Sequence, residues 1–389
     1  MSLPDFYFPS FSFSPSTKKM TIIGAGEYGV RLLGGMFVGG KLPEVALDSY
    51  VDPSPNMEVI EKAPLGSFIQ PYRRNHLQFF RVGLLPLYSD IETWKEQIKT
   101  PENRIVDLAL PESVVPKVFE EVVHTGIKEV ILPKPVTFNL KAFQRIKSLA
   151  TEKQIKVAVA SNWFYSTISK EGKKQLDRLK KQYPIKRATV HYCKQRKKTP
   201  KTPPAHLELP HVLQILSSTG IMDFTKNNNP VVTKASQEAV AVSFNPDGIE
   251  GGVDVLAHVG KRCDTETGRM RRLEVFLDDG DPEPDVIVDY DSRFDKKGKL
   301  IRGGEVLVDV GRGKAREQRI ISTKTVYIED MVEMYRSILR AFKNSYAEYV
   351  RNPSVLTLER YEPLLKTISH IHGLWKDKMG ENSALKTSS

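Results

Sequence analysis

Residues Thr21–Gly29 read Thr-Ile-Ile-Gly-Ala-Gly-Glu-Tyr-Gly, an apolar run that breaks into Gly24-x-Gly26-x-x-Gly29, and Asp52 stands 23 positions beyond the last glycine. That spacing suits the binding of a dinucleotide. The first glycine permits a tight strand-to-helix turn, the second lets the main chain approach a pyrophosphate, and the third lets helix and strand pack closely. The unpaired N–H groups of the helix that starts there point at the phosphates. Gly24, Gly26, Glu27, Tyr28 and Gly29 are therefore read as cofactor-binding residues. A second apolar run, Val45–Val51, ends in Asp52, whose carboxylate would accept both hydroxyls of an adenosine ribose and repel a 2′-phosphate. NAD(H) is favoured on this ground, with NADP(H) an open alternative.

Further candidates follow from the rule that ligands of an open α/β sheet lie at the carboxyl ends of its strands. Three groups fall there: Leu110-Pro111-Glu112-Ser113, Leu132-Pro133-Lys134-Pro135 and Ser161-Asn162-Trp163-Phe164-Tyr165. Pro111 and Glu112 are placed against the cofactor, and Asn162 and Tyr165 against a substrate. Lys134, held between two prolines at a strand end, is rigidly presented, which a lysine on an ordinary surface does not require.

Stepping out to the elements that must hold these residues, the segment from Lys19 to Val159 alternates strand-like and helical runs, the pattern of a doubly wound parallel sheet. Expected strands are Phe80–Leu84, Ile105–Leu110, Glu129–Leu132 and Ile155–Ala160. Helices run through Val114–Val123 and Leu140–Thr151, and another opens at Ser89-Asp90-Ile91-Glu92 in the form of a capping box. Beyond Ser161, a helix over Thr167–Gln182 and a strand over Lys186–His191 lead to a helix starting near Leu207. Strand then follows strand: Val231–Phe244, Gly252–Val259, Met270–Leu277, Asp285–Tyr290 and Gly304–Val310, closed by helices over Ile328–Phe342 and Thr357–Lys378. The division is a 1–17 arm with five aromatics, an 18–160 Rossmann domain, and a 161–389 α+β domain with a large, mostly antiparallel open sheet. Such a sheet needs a cover, and a second subunit, in a homodimer or homotetramer, is the expected one. The last helices can pack back on the first domain.

With 389 residues the chain can form two cores, and 40% hydrophobic with 27% charged residues is ordinary for a globular protein. Its two cysteines, Cys193 and Cys263, suggest neither a disulfide framework nor a metal site, which fits a reducing cytoplasm. No apolar stretch reaches the ~20 residues that span a bilayer. The net charge of +11 has no nucleic-acid-binding motif attached to it and reads as a solvated surface. Its densest run, Lys194-Gln195-Arg196-Lys197-Lys198-Thr199-Pro200-Lys201, is either a solvated loop or a receiver for an anionic small-molecule substrate, with Arg196 the candidate contact.

Taken together, the glycine turn, the Asp-ended second strand, the Leu110-Pro111 loop, Lys134-Pro135, the Asn162-aromatic loop and a His-bearing helix resemble the glucose–fructose oxidoreductase and inositol dehydrogenase family (Gfo/Idh/MocA) from Lys19 to Lys378. The resemblance implies that Lys134 sits by the nicotinamide and polarises the substrate oxygen, with Pro133 where the family has glutamate. It also implies that His211 is catalytic, accepting the hydroxyl proton in the oxidation direction while Lys134 stabilises the oxyanion. The family's aspartate four residues before the histidine is here Leu207; Glu208, three before, can stand on the same helical face. The expected activity is NAD(P)-dependent hydride transfer to or from a hydroxyl or carbonyl carbon of a sugar, cyclitol or related polar metabolite. Reduction of a C=N bond, or dinucleotide sensing without turnover, are the alternatives.

Overall fold

The computed structural model describes residues 18–63, 69–71, 85–195, 208–226, 228–260, 269–277, 283–291, 293–294, 300–302, 304–310, 317–322 and 327–387. The chain divides into two compact units, Met1–Pro111 with Lys117–Ile131 and Lys153–Lys156, and Glu112–Pro116 with Leu132–Glu152 and Val157–Ser389. The arm at 1–17 lies outside the described residues.

The first of two large sheets has seven strands: β1 (Lys18–Ile23), β2 (Val45–Val51), β3 (Ile69–Pro71), β4 (Leu85–Tyr88), β5 (Arg104–Leu108), β6 (Glu129–Pro133) and β7 (Lys156–Ala160). Their order is β3-β4-β2-β1-β5-β6-β7, and the pairs β1–β2, β1–β5, β2–β4, β3–β4 and β5–β6 are parallel. Every residue of β5 is buried, as expected for a strand inside a parallel sheet. Between the strands run α1 (Gly34–Val38), α2 (Met57–Glu61), α3 (Ile91–Lys95), α4 (Val115–Val123) and α5 (Leu140–Glu152). A π-helical turn over Glu27–Leu33 precedes α1. The expected strand Phe80–Leu84 lies outside the described residues, and the short β3 carries too few residues to show a pattern. The cap of α3 is Asp90, whose carboxylate accepts the Thr93 N–H at 2.7 Å, rather than Ser89, whose hydroxyl donates to Asp90.

The second sheet has eight strands, in the order β17-β16-β13-β12-β8-β11-β10-β9. They are β8 (Arg187–Gln195), β9 (Val231–Ala235), β10 (Ala239–Phe244), β11 (Val253–Gly260), β12 (Arg269–Phe276), β13 (Val286–Asp289), β16 (Glu305–Val310) and β17 (Glu317–Ser322), with β14 (Arg293–Phe294) and β15 (Leu300–Arg302) forming a separate ribbon. Only β8–β11 among its pairs is parallel. The apolar run Val231–Phe244 is thus two strands, because Ser236 turns the chain by accepting the Ala239 N–H at 2.9 Å. The helices are α6 (Asn162–Tyr165), α7 (Thr167–Leu179), α8 (Leu209–Ser218), α9 (Tyr327–Phe342), α10 (Tyr346–Arg351) and α11 (Leu358–Thr387). Glu362 on α11 takes Lys147 at 2.6 Å and Gln144 at 2.8 Å from α5, and Lys147 and Lys366 hold its carboxyl at about 2.

The expectation for the cysteines is overturned. Cys193 on β8 is disulfide-bonded, although spacing along the chain gives no sign of it; the other cysteine, Cys263, lies outside the described residues. The cysteine-based argument for a reducing compartment falls with that bond. No described helix is long and apolar enough to cross a membrane.

Candidate active site

The glycine turn starts where β1 stops. Gly24 donates its N–H to Val51 O at 2.8 Å and has φ +109°, a conformation that favours glycine. A Cβ on Gly24 would lie 2.3 Å from Ala109 O, and one on Gly29 would lie 2.2 Å from Gly24 O, so both positions are closed to side chains by the fold itself. Gly26 differs, since a Cβ there would meet nothing within 4 Å. The fold leaves open space over Gly26, at the start of the helical turn that begins with Glu27, and a pyrophosphate fits that cradle.

Asp52 follows β2 directly. Its Oδ2 accepts the Ala25 N–H at 2.7 Å and its Oδ1 the Ser54 N–H at 2.8 Å, tying the end of β2 to the glycine turn. A carboxylate has about four acceptor sites, so two remain for ribose hydroxyls. Tyr28 is half-buried beside Gly29, which is buried. Pro111 is exposed and Glu112 half-buried, on the loop after β5.

The second group of expected residues converges within the other compact unit. Lys134 follows β6 through a strand end that closes with Pro133, and the Lys134–Pro135 bond is cis. Its Nζ meets Nε2 of His211 in a hydrogen bond. His211 stands in the first turn of α8, where Pro210 occupies an early position that needs no amide donor. Glu208 caps that helix, its carbonyl receiving the His211 N–H at 3.0 Å, and its buried carboxylate lies 3.9 Å from His211 Nε2. Burial is the main reason that Lys134 is pulled down to about 7 from the usual 10.5; Glu208 opposes the shift and Lys194 adds to it.

Behind the imidazole stands a residue that the sequence reading passed over. The Trp163 indole N–H donates to His211 Nδ1 at 2.5 Å. The ring of Tyr192 stacks on the imidazole at 5.3 Å between centroids and 14° between planes, and Tyr290 meets Trp163 edge-on at 5.0 Å. The Arg271 guanidinium lies 5.7 Å from the Trp163 ring centroid and 3.1 Å from an Asp291 oxygen. Alternation along β8, which buries Ala188, Val190 and Tyr192, was a usable signal for Tyr192. Trp163 had none beyond its place in the aromatic loop, because α6 is a single turn and sequence does not say which of its residues face inward.

Of the remaining expected residues, Asn162 is buried with its Nδ2 lacking a hydrogen-bond partner, a donor available to a ligand. Tyr165 is instead a packing residue, 1% exposed, with its hydroxyl accepting the Leu356 N–H at 3.0 Å. Its place on the loop at the carboxyl end of a strand suggested a substrate contact, but the backbone of a distant segment claims the hydroxyl. Arg196 and Leu207 lie outside the described residues. Among the described residues no group of three or more His, Cys, Asp or Glu could hold a metal ion.

An oxidoreductase from Agrobacterium radiobacter, solved with NAD+, L-tartaric acid and magnesium, superposes with a TM-score of 0.62 at 10% identity, over 93% of this chain and 97% of that one. The WlbA (WbpB) dehydrogenase from Thermus thermophilus, solved with NAD and UDP-GlcNAcA, gives 0.58 at 12% identity, over 91% and 94%. A dehydrogenase from Chromobacterium violaceum gives 0.63 at 11% identity, over 97% and 100%. The chain has the fold of these oxidoreductases. In sequence, 108 residues are 29% identical to the uncharacterized protein YMR315W of Saccharomyces cerevisiae, covering 28% of this chain and 31% of that protein's length. No protein-family profile matches the chain.

Proposed function

We propose that this chain is an oxidoreductase of the glucose–fructose oxidoreductase and inositol dehydrogenase type that uses NAD(H) in preference to NADP(H). Its substrate is a sugar, cyclitol or related polar metabolite carrying a hydroxyl or carbonyl carbon. The observation that carries this reading is the half-buried Lys134–His211 pair: a lysine brought to about 7 exchanges a proton at neutral pH, and an imidazole beside it shares the load at the same oxygen. When bound, the nicotinamide supplies or accepts the hydride. The chain's own residues orient the reacting carbon, move the hydroxyl proton and stabilise charge on the oxygen. NAD with a nucleotide-linked sugar acid in the Thermus thermophilus dehydrogenase supports the substrate class, and the Asp52 carboxylate supports the cofactor.

The test begins with fluorescence titrations of NADH and NADPH, NADH being expected to bind more tightly. A screen of sugars, cyclitols, their phosphates and uronic acids follows. Lys134→Ala and His211→Ala are each expected to lower kcat by about 10²–10⁴ while leaving the NADH affinity within about threefold. Unchanged turnover in both variants would overturn the site. NADH binding with no substrate turned over would favour a dinucleotide sensor.

A further inference from the structure

Three groups meet in a line: an indole N–H, an imidazole and a lysine amine. The indole is a donor only, so the 2.5 Å contact requires an unprotonated Nδ1 on His211. A neutral imidazole carries one proton, which must then be on Nε2. An Nε2–H can only donate, and its partner in the hydrogen bond is Lys134 Nζ. An ammonium has no lone pair to receive it, so the line closes only with a neutral amine.

We infer that Trp163 is a positioning residue that locks His211 as the Nε2–H tautomer, so that Lys134, and not His211, carries the proton that leaves the substrate hydroxyl. This rests on the oxidoreductase reading and assigns the proton differently from the family resemblance, which gives it to the histidine. In the oxidation direction the hydroxyl O–H breaks, its proton forms the fourth bond to Lys134 Nζ, and the hydride goes to the nicotinamide. When substrate binds, the His211 Nε2–H turns from Lys134 Nζ to the substrate oxygen, which leaves the amine lone pair to receive the hydroxyl proton. For His211 to act as base it would become an imidazolium with N–H groups on both sides, and its Nδ1–H would face the Trp163 N–H head to head. That arrangement loses the hydrogen bond and sets two partial positive charges together.

The charged groups found near the pair among the described residues agree with this assignment or are balanced within it. The Glu208 carboxylate, 3.9 Å from Nε2, favours a proton on that nitrogen rather than on Nδ1. Glu208 and Lys194 act on Lys134 with opposite signs, so burial decides its state. Arg271 sits over the indole and is engaged by Asp291. Tyr192 and Tyr290 add aromatic faces, and burial pushes the Tyr290 hydroxyl far up, so it stays protonated. A tryptophan here does the opposite of the usual carboxylate partner, which would accept from Nδ1 and favour imidazolium.

The decisive measurement is a two-bond proton–nitrogen correlation spectrum of full-length protein labelled with nitrogen-15 histidine. The His211→Asn spectrum identifies the His211 signals among the eight histidines. The expected result is a single Nε2–H tautomer with no Nδ1–H signal above about pH 7.5, where the Lys134 amine is neutral. In Trp163→Phe, His211 is expected to titrate and to populate the Nδ1–H form. An Nδ1–H signal in the wild type near pH 8 overturns the inference, without requiring any variant to fold. The spectrum needs no substrate, so the two proposals fail separately. A locked tautomer with no turnover of any substrate removes the oxidoreductase reading alone. Turnover by a protein whose His211 carries its proton on Nδ1 at pH 8 removes the tautomer lock alone.

Discussion

Lys134 is a half-buried side chain whose surroundings disfavour its charge, and the consequence is a measurable debt in stability. Its ammonium is fully present in both folded and unfolded chains below about 7, so the cost of burying it is complete there. As pH rises from about 7 toward 10.5 the folded protein has already released the proton while the unfolded chain still holds it, and the cost fades. Lys134→Met should therefore stabilise the protein more at pH 6 than at pH 10, by roughly 2 kcal/mol or more, in urea unfolding at the two values. A gain independent of pH would mean that the amine is solvated. At this same scale His211 and Lys134 were readable from motif order, because each sits at a strand end or helix start with a turn signal beside it. Trp163 was not, because it acts through a single donor atom whose direction depends on how one helical turn is pinned.

At the scale of elements, the turn after β1 separates the demands of folding from those of binding. Gly24 and Gly29 are required by main-chain atoms at 2.3 and 2.2 Å, so either alanine variant should lose stability, by roughly 2–4 kcal/mol, with or without a ligand. Gly26 is required by nothing in the fold. Gly26→Ala should melt within a few degrees of the wild type, about what a Gly→Ala change at an open site brings, yet bind NADH at least ~10-fold more weakly. Equal NADH affinity in a folded Gly26→Ala protein would say that the pyrophosphate lies elsewhere. The parallel strands were legible as apolar runs, since β5 and β6 are buried on both faces and need no alternation. Strand ends, the split of Val231–Phe244 and the short β3, β14 and β15 were not, because one serine turn or a ladder of two or three residues leaves no periodic trace.

Across the whole molecule, the eight-stranded sheet sets the question of assembly. Buried positions alternate with half-exposed ones along β8, β10, β11, β13 and β16, so one face of the sheet is packed and the other is not. Leu256 on β11 and Ile320 on β17 are apolar yet 36% and 63% exposed. We expect this face to be covered by a second copy of the chain, and light scattering should then give at least twice the 44.0 kDa of one chain. Leu256→Lys with Ile320→Lys should shift the mass to one chain; a monomeric wild type would refute the expectation.

The hydrogen bond between Tyr165 and Leu356 also bears on how the molecule comes into being. The single helical turn that carries Trp163 is held by Leu356, 191 positions later, and by Asp330, which receives the Ser166 hydroxyl from 164 positions away. With synthesis at about 5–20 residues per second, Tyr165 leaves the ribosome roughly 10–40 s before Leu356, the partner 191 positions on, exists to bond it. The nascent chain can close its glycine turn early. The line from indole to imidazole to amine can be drawn tight only when the protein is almost finished.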